Sequence, residues 1–330
     1  MESQMENEKL NRVYTSLGTR RRYEVWFLKL ALADGSGAWW FRYLMTNPGN
    51  QRGGNAGGCP GLATSPIQVW ATWFPAGGTP ESYIEGFTLA DLSLSRPGTP
   101  LHFEHGLNRI THDSCRGRVT ANGRTVEWDL RYRSSAGFVM SNVGWIGFSR
   151  TPHTDAVFEG EILVDGKQVT GPLVAGQPLG YGLQGHNCGF RHRHLWTWAH
   201  GLHLNESGEL TSFEALEYEI APWLYFRRGL LWHEGRLYRL KGFRTAARDR
   251  ASMAWEFSCQ ERQSGVSVAA IFNGGGSSLH RLPYTRTDCS GTFEVSNNSL
   301  ASGNLRLAYP DRPGVELSFN AGAVLEMVGG

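Results

Sequence analysis

A two-residue repeat of apolar and polar positions runs through most of this chain. From Arg124 to Arg133, Val126, Trp128, Leu130 and Tyr132 fall on one side while Glu127, Asp129, Arg131 and Arg133 fall on the other. That alternation marks a strand with one buried and one solvated face. The preceding GRVTANGR ends in Asn122-Gly123, and a type I′ turn needs positive φ at both central positions, so Gly117 to Tyr132 is predicted to be a β-hairpin. The same grammar recurs around Asp165-Gly166 in EGEILVDGKQVTG and around Glu234-Gly235 in LLWHEGRLYRLKGF. YEVWFLKLAL (Tyr23 to Leu32) and AWWFRYLM (Ala38 to Met45) flank Asp34-Gly35-Ser36-Gly37 and predict a further hairpin. Near the end, GTFEVSNNSLASGNLRLAYP reads as a strand, an Asn-rich turn and a second strand, a loose echo of GRVTANGRTVEWDLRYRS that suggests duplication.

Long amphipathic helical patterns are almost absent, while the chain holds 42 Gly and 12% aromatic residues. Many strands joined by tight turns follow, as in up-and-down barrels or sandwiches. At 330 residues the chain exceeds the usual size of one core. Gly and Pro punctuate GPLVAGQPLG (171–180), which predicts a boundary there and two domains, 1–172 and 173–330. Each half is about long enough for a barrel of roughly eight strands, a size that encloses one small ligand. Residues 46–66, rich in Gly, form the longest irregular loop.

Charge and cysteine content narrow the partners. A formal charge of +2 is too mild to imply nucleic acid or an anionic membrane as an obligatory partner. The start, MESQMENEKLNR, lacks the apolar stretch of a signal peptide, and no later run approaches a spanning helix. The expectation is a non-exported, cytoplasmic protein without an integral membrane segment, compatible with transient contact at a membrane surface. Five cysteines, Cys59, Cys115, Cys188, Cys259 and Cys289, are spread without a CxxC pair and read as free thiols.

The candidate chemistry is concentrated in GHNCGFRHRHLWTWAHGLH, Gly185 to His203, which holds five of the 11 histidines and two of the 12 tryptophans. Read as one extended strand, it places His192, His194, Trp196, Trp198 and His200 on one face and Arg191, Arg193, Leu195, Thr197 and Ala199 on the other. His192 and His194 have a spacing used by metal sites on strands. The next histidine on that face, His200, lies about 20 Å further along the strand, too far for the same ion. Ligands would have to come from elsewhere, such as His102 or His105, and Arg191 and Arg193 oppose a cation, so no metal is expected. RHRH among aromatics could grip RNA or single-stranded DNA, yet no nucleic-acid motif surrounds it. Arg191 or Arg193, with His186 and Asn187, could instead hold a carboxylate or carbonyl of a ligand.

The segment Gly182 to Gly201, with His186-Asn187, Gly189 and the Trp196-Thr197-Trp198 strand, resembles the signature of the carotenoid hydratase, tocopherol cyclase-like and AttH-like superfamily. EVWFLKLAL, WWFRY and GRTVEWDLRY resemble family strands preceding that run. The resemblance spans most of the chain and is specific only in the central run. It implies an all-β fold of two consecutive lipocalin-like (calycin) barrels packed together, with a ligand cavity near the HNCG and WTW segments. It further implies a cofactor-independent cyclase, isomerase or hydratase acting on a hydrophobic small molecule such as a terpenoid or polyene. The alternative is a non-catalytic lipid or pigment carrier, because fold does not establish activity.

Two departures bear on the chemistry. Gly185 stands where the family has an acid, and Cys188 where it has tryptophan. Protonating an alkene needs a positioned acid in a dry pocket. His186 is adjacent, and Glu104 in HFEHG, sharing a strand face with His102, is the best carboxyl in the first half, ahead of Asp113. Glu214 and Glu217 lie in FEALEYEI, which reads equally as a solvated sheet face. The expected site therefore has His186, Asn187 and Glu104 as catalytic residues. Tyr181, Arg191, Trp196, Trp198, His200, Trp39 and Trp40 are expected to hold substrate, although the same tryptophans suit plain core packing.

Overall fold

The computed structural model describes residues 2–16, 22–47, 65–169, 177–192, 195–287 and 291–329. The chain divides into two units. The first comprises Met1–Trp73, Glu81–His192 and Pro283–Phe293; the second comprises Phe74–Pro80, Arg193–Leu282 and Glu294–Gly330. Apart from the helix α1 (Glu2–Leu10), the described elements are strands.

The first unit is built on a 13-stranded sheet. It begins with β1 (Arg22–Leu32), β2 (Gly37–Asn47), β3 (Ile67–Pro75) and β4 (Glu81–Phe87). Short strands β5 (Ser93–Leu94), β6 (His102–His105) and β7 (Asn108–Thr111) lead into β8 (Ser114–Ala121) and β9 (Arg124–Arg133). β10 (Phe138–Asn142), β11 (Gly147–Val164), β12 (Lys167–Gln168) and β13 (Gly180–Gly189) complete it. The main path runs β4-β3-β2-β1-β13-β11-β9-β8-β7-β6-β5. The sheet curls so that Glu85 of β4 accepts a hydrogen bond from Thr120 N of β8. β13 needs β1 on one edge and β11 on the other, so the first unit runs past residue 173 to His192.

Trp26, Leu28 and Leu30 of β1, Trp39, Phe41 and Tyr43 of β2, and Trp128 and Leu130 of β9 fill the inside of this curled sheet. Trp128 Nε1 donates to Tyr43 Oη at 2.8 Å, and Tyr43 donates to Arg116 O at 2.7 Å. The Trp128 ring lies over Gly117, its opposite number on β8, where a Cβ would come within 2.2 Å of it. A bulky indole is accommodated because its partner has no side chain.

The second unit contains β14 (Trp196–Leu204), β15 (Leu210–Ala221), β16 (Leu224–His233), β17 (Arg236–Asp249) and β18 (Ala254–Gln260). Its sheet continues through β19 (Ser267–Asn273), β20 (His280–Thr285), β21 (Thr292–Ala308), β22 (Val315–Ser318) and β23 (Ala323–Val328), of which the stretch Pro283–Phe293 is counted in the first unit. Pairing proceeds in sequence from β14 to β19, and β19 then pairs β21, which reaches β14 again through β23. The result is a closed barrel whose core holds Phe213, Leu231, Trp255, Phe257, Phe272 and Leu325.

The predicted turns at Asn122-Gly123, Asp165-Gly166 and Glu234-Gly235 all have positive φ at both positions, and the flanking residues pair as the two-residue hairpin requires. The β1–β2 hairpin around Asp34-Gly35 also forms. Two readings are corrected. Gly185 to His203 is not one strand, because β13 and β14 belong to different sheets and the chain crosses between them after Gly189. GTFEVSNNSLASGNLRLAYP contains no turn; Thr292–Ala308 is one strand with an irregularity between Asn298 and Ala301. Its asparagines spend their amides sideways, Asn297 on Glu326 and Asn298 on Gly274 O, so the backbone stays in the ladder. Most of the 46–66 loop lies outside the described residues. No described helix is long and apolar enough to cross a membrane.

The seam that closes the second barrel depends on Gly303, which faces Phe272 across β19–β21 and whose Cβ would lie 1.9 Å from Ile271 O. Gly303→Ala is expected to destabilise the protein by about 2 kcal/mol through forced strand separation. A thermal or urea melt followed by circular dichroism measures this.

Candidate functional site

The sequence-predicted residues fall in three places. Strand parity decides which. His186 of β13 is in register with Trp26 of β1 and points inward. Its ring stacks on Trp26 with centroids 5.0 Å apart and meets the Phe148 ring edge-on at 4.8 Å. Nε2 lies 2.8 Å from Glu24 Oε1, and Nδ1 lies 3.1 Å from Leu10 O. A carbonyl oxygen can only accept, so Nδ1 donates to Leu10 O while Nε2 faces the Glu24 carboxyl. Glu24 also accepts Tyr14 N at 2.8 Å and Thr15 N at 2.7 Å, and its side chain is fully buried.

This dyad therefore clamps the segment after α1 onto the barrel interior. Asn11 and Gln184 extend the clamp by a two-way amide pair at 2.7 and 3.2 Å. Beyond them His112 packs on His153, whose Nδ1 meets Ser134 Oγ at 2.7 Å. Burial, then the neighbouring His112, push His153 down to about 3. Every polar atom of the His186 ring is engaged by the chain itself.

Asn187, one residue on, points to the other side. On that outward face of the first unit stand Phe27, Lys29, Trp40 and Arg42, in register with β13 positions Gly185 and Leu183. Phe27 stacks on Trp40 at 5.2 Å and 17°, and a Cβ on Gly185 would fall 2.1 Å from the Phe27 ring. The Phe27 ring thus takes the volume that a side chain at 185 would need. Lys29 is 0% exposed, and desolvation pushes its amine down to about 7. Arg42, 2% exposed, sits 4.5 Å over the Trp70 ring and 3.8 Å over that of Tyr284. Tyr181 is half-buried, opposite Ala31 on β1. Trp39 faces inward instead, stacked with Phe41 in the core, so it does not share a face with Trp40.

His192 is not on the face expected for it: it follows β13 in a loop and stacks on Tyr23 at 4.0 Å. Burial and the charge of Arg42 push it down to about 3. Arg193 and His194 lie outside the described residues. Arg191 is exposed. Glu104 is about one-third exposed on β6, 3.7 Å from His102 and 3.8 Å from Arg109, pointing away from the core that Phe103 enters. Alternation thus separates it from the inward-facing His186. Cys115, Cys188 and Cys259 are buried free thiols, Cys188 pushed up to about 12 chiefly by burial; Cys59 and Cys289 lie outside the described residues.

The third place is on the second unit. Ala199 of β14 enters the barrel core, so Trp196, Trp198 and His200 face away from it. Trp198 Nε1 donates to Glu214 Oε1 at 2.7 Å, and Trp196 Nε1 to Glu326 Oε1 at 2.9 Å. Asn297 donates to the second oxygen of Glu326 at 3.3 Å, and His200 Nε2 lies 3.2 Å from Ser212 Oγ. Both carboxylates are buried, so the FEALEYEI segment is no solvated face. Glu217, of opposite parity, is ion-paired with Arg227 and Arg248.

No family model matches the chain, and no curated protein matches it in sequence. Solved structures do. CghA, solved with Sch210972, superposes with a TM-score of 0.58 at 10% identity, covering 97% of this chain and 96% of that one. The proposed AttH protein NE1406 of Nitrosomonas europaea gives 0.51 at 13% identity over 94% of this chain and 93% of that one. Kievitone hydratase of Nectria haematococca gives 0.50 at 12% identity over 97% and 93%. This chain has the AttH-like, tandem lipocalin-like fold.

Within that fold the buried ionisable groups that the sequence reading did not assign to the site or ranked low include Glu24 and Lys29, and also Arg42, Glu214 and Glu326. The first two were visible as polar breaks in YEVWFLKLAL, at opposite parities. The glutamates of β15 and β23 had no such signal, since their neighbours are settled by pairing across the sheet.

Removing Glu24 leaves a buried imidazole and two orphan amides, so Glu24→Ala is expected to cost about 3 kcal/mol. Hydrogen exchange should show Tyr14 and Thr15 amides losing protection first. Lys29 gives a pH signature. Between its folded value near 7 and its ordinary 10.5 the unfolded chain binds more protons, so stability rises with pH across that window and the burial cost is fully present below 7. Lys29→Met is expected to flatten that rise and to add a few kcal/mol at pH 6, read from urea melts at pH 6 to 9.

Proposed function

We propose that this protein is an enzyme acting on a hydrophobic small molecule, such as a terpenoid or polyene, by cyclisation, isomerisation or hydration. The observation that carries the reading is the pairing of Trp198 with Glu214 and of Trp196 with Glu326, on a sheet face outside the core of the second unit. An indole fixed by its N–H presents its ring to a substrate, and that ring stabilises a nearby cation by up to about 2 kcal/mol when dry. A carboxyl in such a setting either retains its proton and donates it, or stays ionised and offsets positive charge as it develops. Ring closure needs less: an apolar wall that holds a flexible chain in its reactive conformer supplies much of the acceleration.

The reading moves the chemistry from the HNCG segment, where both ring nitrogens of His186 are already engaged, to the WTW strand. Support also comes from the likeness to CghA, solved with Sch210972, and to kievitone hydratase, a hydratase by name. A carrier needs only an apolar wall, so two buried carboxylates facing the indoles favour catalysis over the carrier reading.

The test is to identify hydrophobic compounds that co-purify with the protein by mass spectrometry, then to follow their conversion. Glu214→Gln is expected to lower turnover at least tenfold while tryptophan quenching by the ligand persists. A ligand returned unchanged by the wild-type protein supports the carrier instead, and the absence of any bound hydrophobic compound overturns both.

A further inference from the structure

On the outward face of the first unit, the paired strands β1 and β2 carry two buried cations and no acid among the described residues. Lys29 and Arg42 are diagonal neighbours on the paired strands β1 and β2, since Lys29 stands opposite Trp40 and Arg42 opposite Phe27. Such neighbours lie within about 7–8 Å, near enough for both side chains to reach one small group. Among the described residues Lys29 Nζ has no hydrogen-bond partner, and neither does Arg42 Nη1. Among the described residues neither forms a salt bridge, and the positions around them in register, Phe27, Trp40, Leu183, Gly185, Tyr181 and Asn187, include no carboxylate.

A buried charge is normally paired, because taking it out of water is costly. Arg42 cannot shed its proton, and ring faces of Trp70 and Tyr284 offset only part of its charge. The imidazole beside it, His192, offers no negative charge. Lys29 lies deeper still, flanked by the Phe27–Trp40 stack. An apolar aromatic surface next to two cations matches one kind of ligand: a hydrophobic body ending in an acidic pair of oxygens.

The geometry points to Lys29 and Arg42 as an anion-binding site for a carboxylate at one end of a hydrophobic ligand. The proposal rests on the hydrophobic-ligand reading above and adds the head group that such a ligand carries. It also relocates anion recognition from Arg191, which is exposed, to a pair that is not. Lys29 would supply a point charge with three donors, and Arg42 a directional donor at Nη1.

Cis-parinaric acid and its methyl ester share one polyene body and differ in the head group, so their fluorescence on binding separates the two ideas. The wild-type protein is expected to bind the acid at least tenfold more tightly than the ester and to be raised more in melting temperature by it. Lys29→Met and Arg42→Gln are each expected to abolish that preference while keeping ester binding. Equal binding of acid and ester by the wild type overturns the anion site and leaves the hydrophobic-ligand reading in place. Binding of neither overturns both, and a variant that keeps the full acid preference removes that residue from the site. The wild-type comparison stands by itself should a variant fail to fold.

Discussion

Hydrogen bonding of β13 between β1 and β11 fixes, residue by residue, which side chains enter the first unit and which leave it. Because a strand alternates strictly, a slip of one residue would exchange His186 for Gly185 and Trp26 for Phe27 across the whole ladder. The inward set then closes on the polar segment after α1, and the outward set forms an aromatic surface with two cations. Every chemical statement about the first unit follows from that register, including the separation of His186 from Asn187. The same logic on β14 sends Ala199 into a core and Trp198 away from it.

Buried charge is handled in contrasting ways on these surfaces. Glu24 is surrounded by donors, two backbone amides and an imidazole, so its desolvation is compensated and it serves as an anchor. Glu217 is neutralised by Arg227 and Arg248. Glu214 and Glu326 receive indole N–H groups, and Glu326 the amide of Asn297 as well. Among the described residues Lys29 Nζ has no hydrogen-bond partner. Compensated groups such as Glu24 and Glu217 hold the fold.

Local chemistry made much of the fold legible in advance. Asn122-Gly123, Asp165-Gly166 and Glu234-Gly235 announced their hairpins because the constraint on φ lies in the residues themselves. The Asn-rich stretch in β21 misled for the complementary reason: Asn297 and Asn298 use their amides for partners far away in sequence, which local pattern does not record. The site was harder to read. Trp196, Trp198 and His200 were assigned one face correctly, since parity is local, but the carboxylates they meet come from β15 and β23 through pairings that only the closed barrel sets. His192 was misplaced because the strand stops before it.

The Phe27 ring over Gly185 ties two positions that lie far apart in the chain into one unit of change. An acid cannot be introduced at 185 while the phenyl ring occupies its volume, and trimming Phe27 alone would leave Trp40 without its stacking partner. The order of events matters: residue 27 must shrink before residue 185 can grow. A larger side chain at 185 on this fold therefore requires a smaller one at 27, so the two positions can change only as a pair.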